Sequence, residues 1–277
     1  MANSRFGLRT RLGLVRAYSE GNRAIDADAQ AFYDATGITD ETQKVAINSL
    51  VLDLKSYGIW SKMKALYPFV GGTASTHKFN LKDSQDTNGA YRLTFFGGWT
   101  HDSNGVLPNG TTGYADTFLT LNAAGAFNNY HFSFYCNNNP AADGTIRVDM
   151  GKGTTFYANL YIRLDNTNDF GGSLGSRNAT STNTDSRCYA IITSISSILA
   201  KLYKNGSVVA SNTNTQTATA SNTATIYIGS QGFDSTAAQF SNKRCALASI
   251  GDGLTDTEAG NLYTAVQAFQ TTLGRQV

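Results

Sequence analysis

Between about residue 73 and residue 253 the chain sets apolar and polar positions in short runs separated by turn-forming clusters, the pattern of strands. Residues 91–96, 131–135, 145–148, 160–164, 189–192 and 226–228 are such runs, rich in Tyr, Phe, Ile and Leu. Asn109-Gly110 and Asn205-Gly206 read as tight hairpin turns, because both central residues of a type I′ turn need positive φ. Many short strands at this spacing predict an antiparallel sandwich. The Thr-, Asn- and Ser-rich stretches 178–186 and 211–223 fit either an exposed strand pair or a loop.

On either side of this body the period is helical. Asp26 and Asp28 open a short helix that Gly37 closes, and Asp40 with Glu41 starts another, with acids placed to suit the helix dipole. Ile47, Leu50, Val51, Leu54 and Tyr57 then recur at offsets of three and four until Gly58, so this helix has one apolar face to bury. A further helical piece carrying Ile59, Trp60, Met63 and Leu66 is predicted to end before Pro68, with Gly71-Gly72 marking entry to the body. At the far end Thr255 and Glu258 form a capping box, Leu262, Val266, Phe269 and Leu273 line one face, and Gly274 closes the helix. Three parts are predicted: an arm (1–24), a helical region (25–72) and a sandwich (73–277) closed by a helix over 255–273.

Composition narrows this picture. A chain of 277 residues suits one large core, since sandwiches commonly run to ~200–250 residues as a single domain. The net charge of +2 hides an asymmetry: residues 1–24 carry Arg5, Arg9, Arg11, Arg16 and Arg23 against Glu20, leaving the rest near −2. A body without a basic patch argues against a nucleic-acid binder, whose affinity comes mainly from phosphate neutralisation. Cys136, Cys188 and Cys245 have no metal-ligand spacing and are expected as buried thiols. No secretory signal is expected, because the arm lacks an apolar stretch of ~7–15 residues, and no run of ~20 apolar residues predicts membrane insertion.

Four ordered stretches carry a resemblance. Residues 202–209 read Leu-Tyr-Lys-Asn-Gly-Ser-Val-Val, residues 226–230 Ile-Tyr-Ile-Gly-Ser, residues 246–251 Ala-Leu-Ala-Ser-Ile-Gly, and residues 253–258 Gly-Leu-Thr-Asp-Thr-Glu. This set resembles the second half of a concanavalin A-like, laminin-G-type jelly roll. Residues 57–72 (Tyr-Gly-Ile-Trp-Ser-Lys-Met-Lys-Ala-Leu-Tyr-Pro-Phe-Val-Gly-Gly), residues 73–82 (Thr-Ala-Ser-Thr-His-Lys-Phe-Asn-Leu-Lys) and the ending from Gly253 to Val277 are similar to tailed-phage structural proteins. The resemblance spans about residues 25–277. It implies a mainly β protein with an antiparallel jelly-roll sandwich, displayed on a virion surface as capsid decoration, head fibre or tail fibre. Residues 25–72 become an attachment region under this reading. Phe6, Leu8, Leu12 and Val15 interleave with the arginines, so Arg5, Arg9, Arg11 and Arg16 are expected to anchor the arm on a neighbouring virion subunit, in the capsid or the tail. A homo-oligomer is expected, since virion spikes are usually symmetric.

Candidate chemistry follows from what the body lacks. No glutamate lies between Glu41 and Glu258, whereas glycanases of the resembled fold usually place acids at alternating positions on one strand. Hydrolysis would need a carboxylate pair, and the nearest acids, Asp143 with Asp149 and Asp165 with Asp169, fall near predicted turns. The protein is therefore expected not to be an enzyme. The alternatives are an Asp-only depolymerase and a capsid- or tail-stabilising subunit without ligand. Binding a cell-surface glycan needs an aromatic face with amides and carboxylates nearby, and Trp99, His101, Asp102, Asn104, Asn109 and Tyr114 fall in one loop-rich region. The competing reading makes Trp99 and Tyr114 core residues at strand ends, and His131 a satisfied structural residue. No cofactor is expected; Asp102, Asp116 and Asp234 are the loop acids suited to Ca²⁺, with turn formation the favoured role.

Overall fold

The computed structural model describes residues 23–125, 127–153, 157–217, 224–233 and 236–277. Arg5, Arg9, Arg11, Arg16 and Asp234 lie outside the described residues, as do residues 218–223 of the Thr/Asn/Ser stretch.

The strands, in chain order, are β1 (Met63–Tyr67), β2 (Thr94–Phe96), β3 (Trp99–Asp102), β4 (Gly105–Pro108), β5 (Tyr114–Thr120), β6 (Tyr130–Cys136), β7 (Met150–Gly153), β8 (Tyr157–Tyr161) and β9 (Asp169–Gly175). They continue as β10 (Arg177–Thr182), β11 (Cys188–Ser196), β12 (Leu199–Lys204), β13 (Ser207–Asn212), β14 (Thr225–Ile228), β15 (Gln231–Phe233), β16 (Thr236–Ala238) and β17 (Cys245–Gly251). The helices are α1 (Ala27–Thr36), α2 (Glu41–Ser56), the single turns α3 (Ala74–His77) and α4 (Leu121–Ala124), and α5 (Asp256–Thr272).

Two sheets face each other. The first runs β13-β12-β11-β6-β17-β4-β3, with β1 also pairing along β17; the second runs β10-β9-β8-β7-β14-β5-β2, with the β15–β16 hairpin attached at β7. Between them lies one core, in which Phe132, Phe134, Ile192, Leu202 and Ile250 of the first sheet meet Leu119, Leu160, Phe170, Leu174 and Ile226 of the second. A second core covers the outer face of the first sheet. There Tyr135, Tyr189, Ile191, Tyr203 and Leu247 pack under Ile47, Leu50 and Leu54 of α2 and Leu262, Val266 and Phe269 of α5. This coverage explains why β6 and β17 are buried at every position, while β5 alternates buried and half-buried residues along its whole length. The outer face of the second sheet carries no helix among the described residues.

The caps form as the sequence predicts. Asp26 and Asp40 accept N–H bonds at the starts of α1 and α2, Gly37 takes the left-handed conformation after α1, and the Thr255–Glu258 capping box is complete. Asn205 and Gly206, at φ 50° and 79°, make the expected hairpin between β12 and β13.

Three expectations need correction. Residues 59–66, predicted as helical, form a 3₁₀ turn and then β1, whose Ala65, Leu66 and Tyr67 pair with Ile250, Ser249 and Ala248 of β17. Residues 145–148, predicted as a strand, have no regular structure; the segment is held instead by the Arg147 side chain, which donates to the carbonyls of Gly110 and Phe240, and by the Val148 N–H, which donates to the Gln239 carbonyl. Asn109-Gly110 is not a hairpin: β4 and β5 lie in different sheets, and the Asn109 side chain holds the crossing loop by accepting from the N–H groups of Thr111, Thr112 and Gly113. Residues 25–72, read as an attachment region, pack their helices on the first sheet and contribute β1 to it.

Candidate glycan-binding face

Strand register places a set of side chains on the uncovered face of the second sheet. Phe96 of β2 stands opposite Tyr114 of β5, and Asp116 of β5 stands opposite Tyr227 of β14. The same row continues through Gly151, Asn159, Ser173 and Asn178 on β7 to β10. Their sequence neighbours Ala115, Ile226, Met150, Ala158 and Leu174 point into the core, as a period of two requires.

At one side of this face the rings form a ladder. Phe96 and Tyr114 stack with centroids 4.9 Å apart and planes at 15°, and Tyr114 meets Tyr227 at 4.8 Å and 34°. Exposure falls along it: Phe96 is 41% exposed, Tyr114 and Asp116 are half-buried, and Tyr227 is 6% exposed. Burial, then the charge of Asp116, pushes the Tyr227 hydroxyl up. Asp116 uses Oδ1 to accept the Phe118 N–H at 2.8 Å, supporting a bulge in which Phe118 takes φ 57°.

The β15–β16 hairpin rises from the middle of the face. A Cβ on Gly232 would come within 3.1 Å of the Tyr227 ring, so the hairpin backbone rests on that ring. Gln231 accepts from Asn159 Nδ2 at 2.9 Å, and Asn159 Oδ1 accepts the Ser173 N–H at 2.9 Å. Beyond the hairpin, Tyr157 lies across Gly153 and meets Phe233 edge-on, and Tyr161 lies across Gly171. Rings, amides and hydroxyls therefore occupy both sides of the hairpin.

Of the six residues singled out from sequence as glycan ligands, one lies on this surface. Tyr114 is in the ladder. Trp99 instead closes the gap between the sheets, its Nε1–H donating to the carbonyls of Phe96 and Tyr114 at 3.0 and 3.3 Å and its ring tip set against Gly229. His101 Nδ1 lies 3.0 Å from Nδ1 of the buried His77, whose Nε2 accepts the Gly72 N–H. Neutral His77 thus carries its proton on Nδ1 and donates it to His101. Burial holds both rings neutral, pushing His77 down to about 3 and lowering His101. Asp102 pairs with Arg244 at 2.5 Å and accepts the Asn104 N–H, while the Asn104 carbonyl accepts from Asn137. Asn109 is spent on its own loop. Phe96, Asp116 and Tyr227 complete the ladder; the sequence singles out Asp116 only as a loop acid suited to Ca²⁺, whereas it lies within β5. The alternation along β5 was readable, yet its pairing with β14 is fixed by contacts more than 100 residues away in sequence, and its pairing with β2 spans the crossing between the sheets.

Of the acids near predicted turns, Asp149 and Asp165 are buried, and Asp143 joins Asp165 through a shared partner, Arg147. Asp165 has no exposed side-chain surface and is held by Arg163 at 2.9 Å, Arg147 at 3.3 Å and Lys243 at 3.7 Å. Asp149, equally buried, accepts from Ser241 and from the Ile162 N–H, and burial pushes its carboxyl up. Asp143 pairs with Arg147, which lowers its pKa to about 2. Asp169 lies apart on β9, accepting from Thr167. Among the described residues no group of three or more His, Cys, Asp or Glu is placed to hold a metal ion. Cys136 stands opposite both Cys188 and Cys245, all three free and buried.

No protein-family model and no curated protein sequence matches the chain. Solved structures do. A mutant of Trypanosoma rangeli sialidase displaying trans-sialidase activity aligns over 80% of this chain at 12% identity and a TM-score of 0.50; the chain spans 39% of that protein. Domain 4 of AbnA, a GH43 extracellular arabinanase from Geobacillus stearothermophilus in complex with arabinotriose, aligns over 73% of this chain and 98% of its own at 15% identity and a TM-score of 0.45. The CBM40 of Ruminococcus gnavus IT-sialidase aligns over 59% of this chain and 94% of its own at 17% identity and a TM-score of 0.39. At such identities the likeness is one of fold: this chain is a mainly β, concanavalin A-like sandwich flanked by N-terminal helices and one C-terminal helix.

Proposed function

We propose that this protein is a virion surface component that holds glycans on the uncovered face of its second sheet and does not cleave them. The observation that carries the glycan reading is the Phe96–Tyr114–Tyr227 ladder with Asp116 beside it, on a face whose remaining outward positions are mostly Asn, Ser, Thr, Tyr and Gly, with Asp169 towards the far edge. Aromatic faces stack on the apolar side of a pyranose, and an acceptor beside them takes its hydroxyl protons. A non-hydrolytic role is supported by the state of the clustered acids: Asp149 and Asp165 are out of solvent and spent on internal bonds. The virion assignment draws on the resemblance of residues 57–82 and of the ending from Gly253. Arg5, Arg9, Arg11 and Arg16 are then the anchor on a capsid or tail subunit, and the uncovered face points outward.

A glycan array probed with the multivalent protein tests the binding role. Binding that Tyr114→Ala abolishes is the expected result, since truncating a stacking ring removes its contact area. Release of reducing ends from a bound polysaccharide would replace binding with hydrolysis. Normal particle incorporation after deletion of residues 1–24 would remove the anchoring role.

A further inference from the structure

The ladder's surroundings define which sugars it accepts. From the strand pairings, the outward side chains of the second sheet include Asp116, next to Tyr114 and Tyr227, and Asp169 towards the far edge; none is Lys or Arg among the described residues. Internal residues that are not described, 126, 154–156, 218–223 and 234–235, contain no Lys or Arg either. Of the cations on these strands, Lys152 falls on the inward parity of β7 and Arg177 turns inward to bond the carbonyls of Phe127, Ser196 and Leu199. Arg92, just before β2, is paired with Asp86, which also takes Lys78 at 2.5 Å.

We infer that the face binds neutral glycans and rejects chains bearing carboxylate or sulfate groups; this rests on the glycan reading above. A carboxylated sugar stacked on Tyr114 would bring its charge beside Asp116 with no cation at the outward positions of the described strands to answer it, and a like-charge contact near a protein surface is weakened but not removed by solvent. A neutral sugar meets the opposite situation. Asp116 Oδ1 takes the Phe118 N–H and leaves Oδ2 as an acceptor, and a hydroxyl donated to a carboxylate makes a strong, charge-assisted bond. The acid therefore orients neutral sugars and excludes acidic ones.

The test is binding of the intact protein to matched neutral polysaccharides (a glucan, a mannan, a galactan) and acidic ones (polysialic acid, polygalacturonate), at low and at high salt. The expected result is binding to a neutral chain at least about tenfold tighter than to any acidic chain at low salt, with the gap narrowing as salt screens Asp116. Both Tyr114→Ala and Phe96→Ala should abolish the binding. Asp116→Asn keeps an oxygen for the Phe118 N–H and should also narrow the gap; an unchanged gap would overturn the role given to Asp116. Preference for an acidic chain that both ring variants abolish would overturn the neutral assignment while leaving the glycan reading intact. Binding to neither class would overturn both.

Discussion

His131 near the start of β6 has no exposed surface; its Nδ1–H donates to the Asp252 carbonyl at 2.7 Å, and its Nε2 accepts from the Ser249 hydroxyl at 3.0 Å. Behind Ser249 stands Ser133 at 2.6 Å, which in turn accepts from the Tyr189 hydroxyl at 2.8 Å. With Tyr189 donating first, every proton in this chain runs towards the neutral imidazole. Burial pushes His131 down to about 4, against about 6.5 in an unfolded chain. As pH falls, the unfolded state takes the proton first. The stability held by this residue is therefore complete above about pH 6.5 and is lost progressively towards pH 4, by up to about 3 kcal/mol. His77, pushed down to about 3, acts in the same direction. Urea midpoints measured at pH 7.5 and pH 4.5 should show the loss, and His131→Asn should flatten the dependence in proportion. A midpoint that does not fall between these values would exclude it.

At the scale of elements, local chemistry is what the sequence spells out. The α5 start is readable because Thr255 and Glu258 satisfy each other within one turn, and Glu258 also meets Lys62 at 2.6 Å. Thr255→Ala should therefore lower stability by about 1 kcal/mol, and calorimetry should show it as a lower Tm with unchanged secondary structure. Strand β1 was not readable. Met63 and Leu66 have helical spacing, but Ala65 to Tyr67 gain a partner in β17, more than 180 residues on, and that pairing overrides local preference. Asn109-Gly110 failed for the same kind of reason, since the strands it joins belong to different sheets. The candidate site divides in the same way: Tyr114 stood out as an aromatic in a loop-rich region, whereas Phe96, Asp116 and Tyr227 become its neighbours only through the β2–β5–β14 register.

Across the whole molecule the two sheets differ in what covers them, and the covered side is fastened in several places. Tyr135, Tyr189 and Tyr203 bury their rings among the helices while their neighbours on the same strands fill the core between the sheets. Arg275, just past α5, donates to the carbonyls of Pro68, Phe69 and Ala246 at 2.7–2.9 Å and to Gln270 at 2.6 Å, joining the end of β1, β17 and α5. A layer sharing its strands with the sandwich and locked by a buried guanidinium has no surface at which to separate, so helices and sandwich should unfold in one transition. The two tryptophans report on opposite parts: Trp60 lies in the helical core, and Trp99 closes the far edge between the sheets. In Trp99→Phe the remaining fluorescence follows the helical layer, and in Trp60→Phe it follows the sandwich edge. Within each variant the fluorescence midpoint in urea should coincide with the midpoint by circular dichroism. A helical layer that melts first would instead give Trp60 an earlier transition than the dichroism of the strands, and would overturn the single transition.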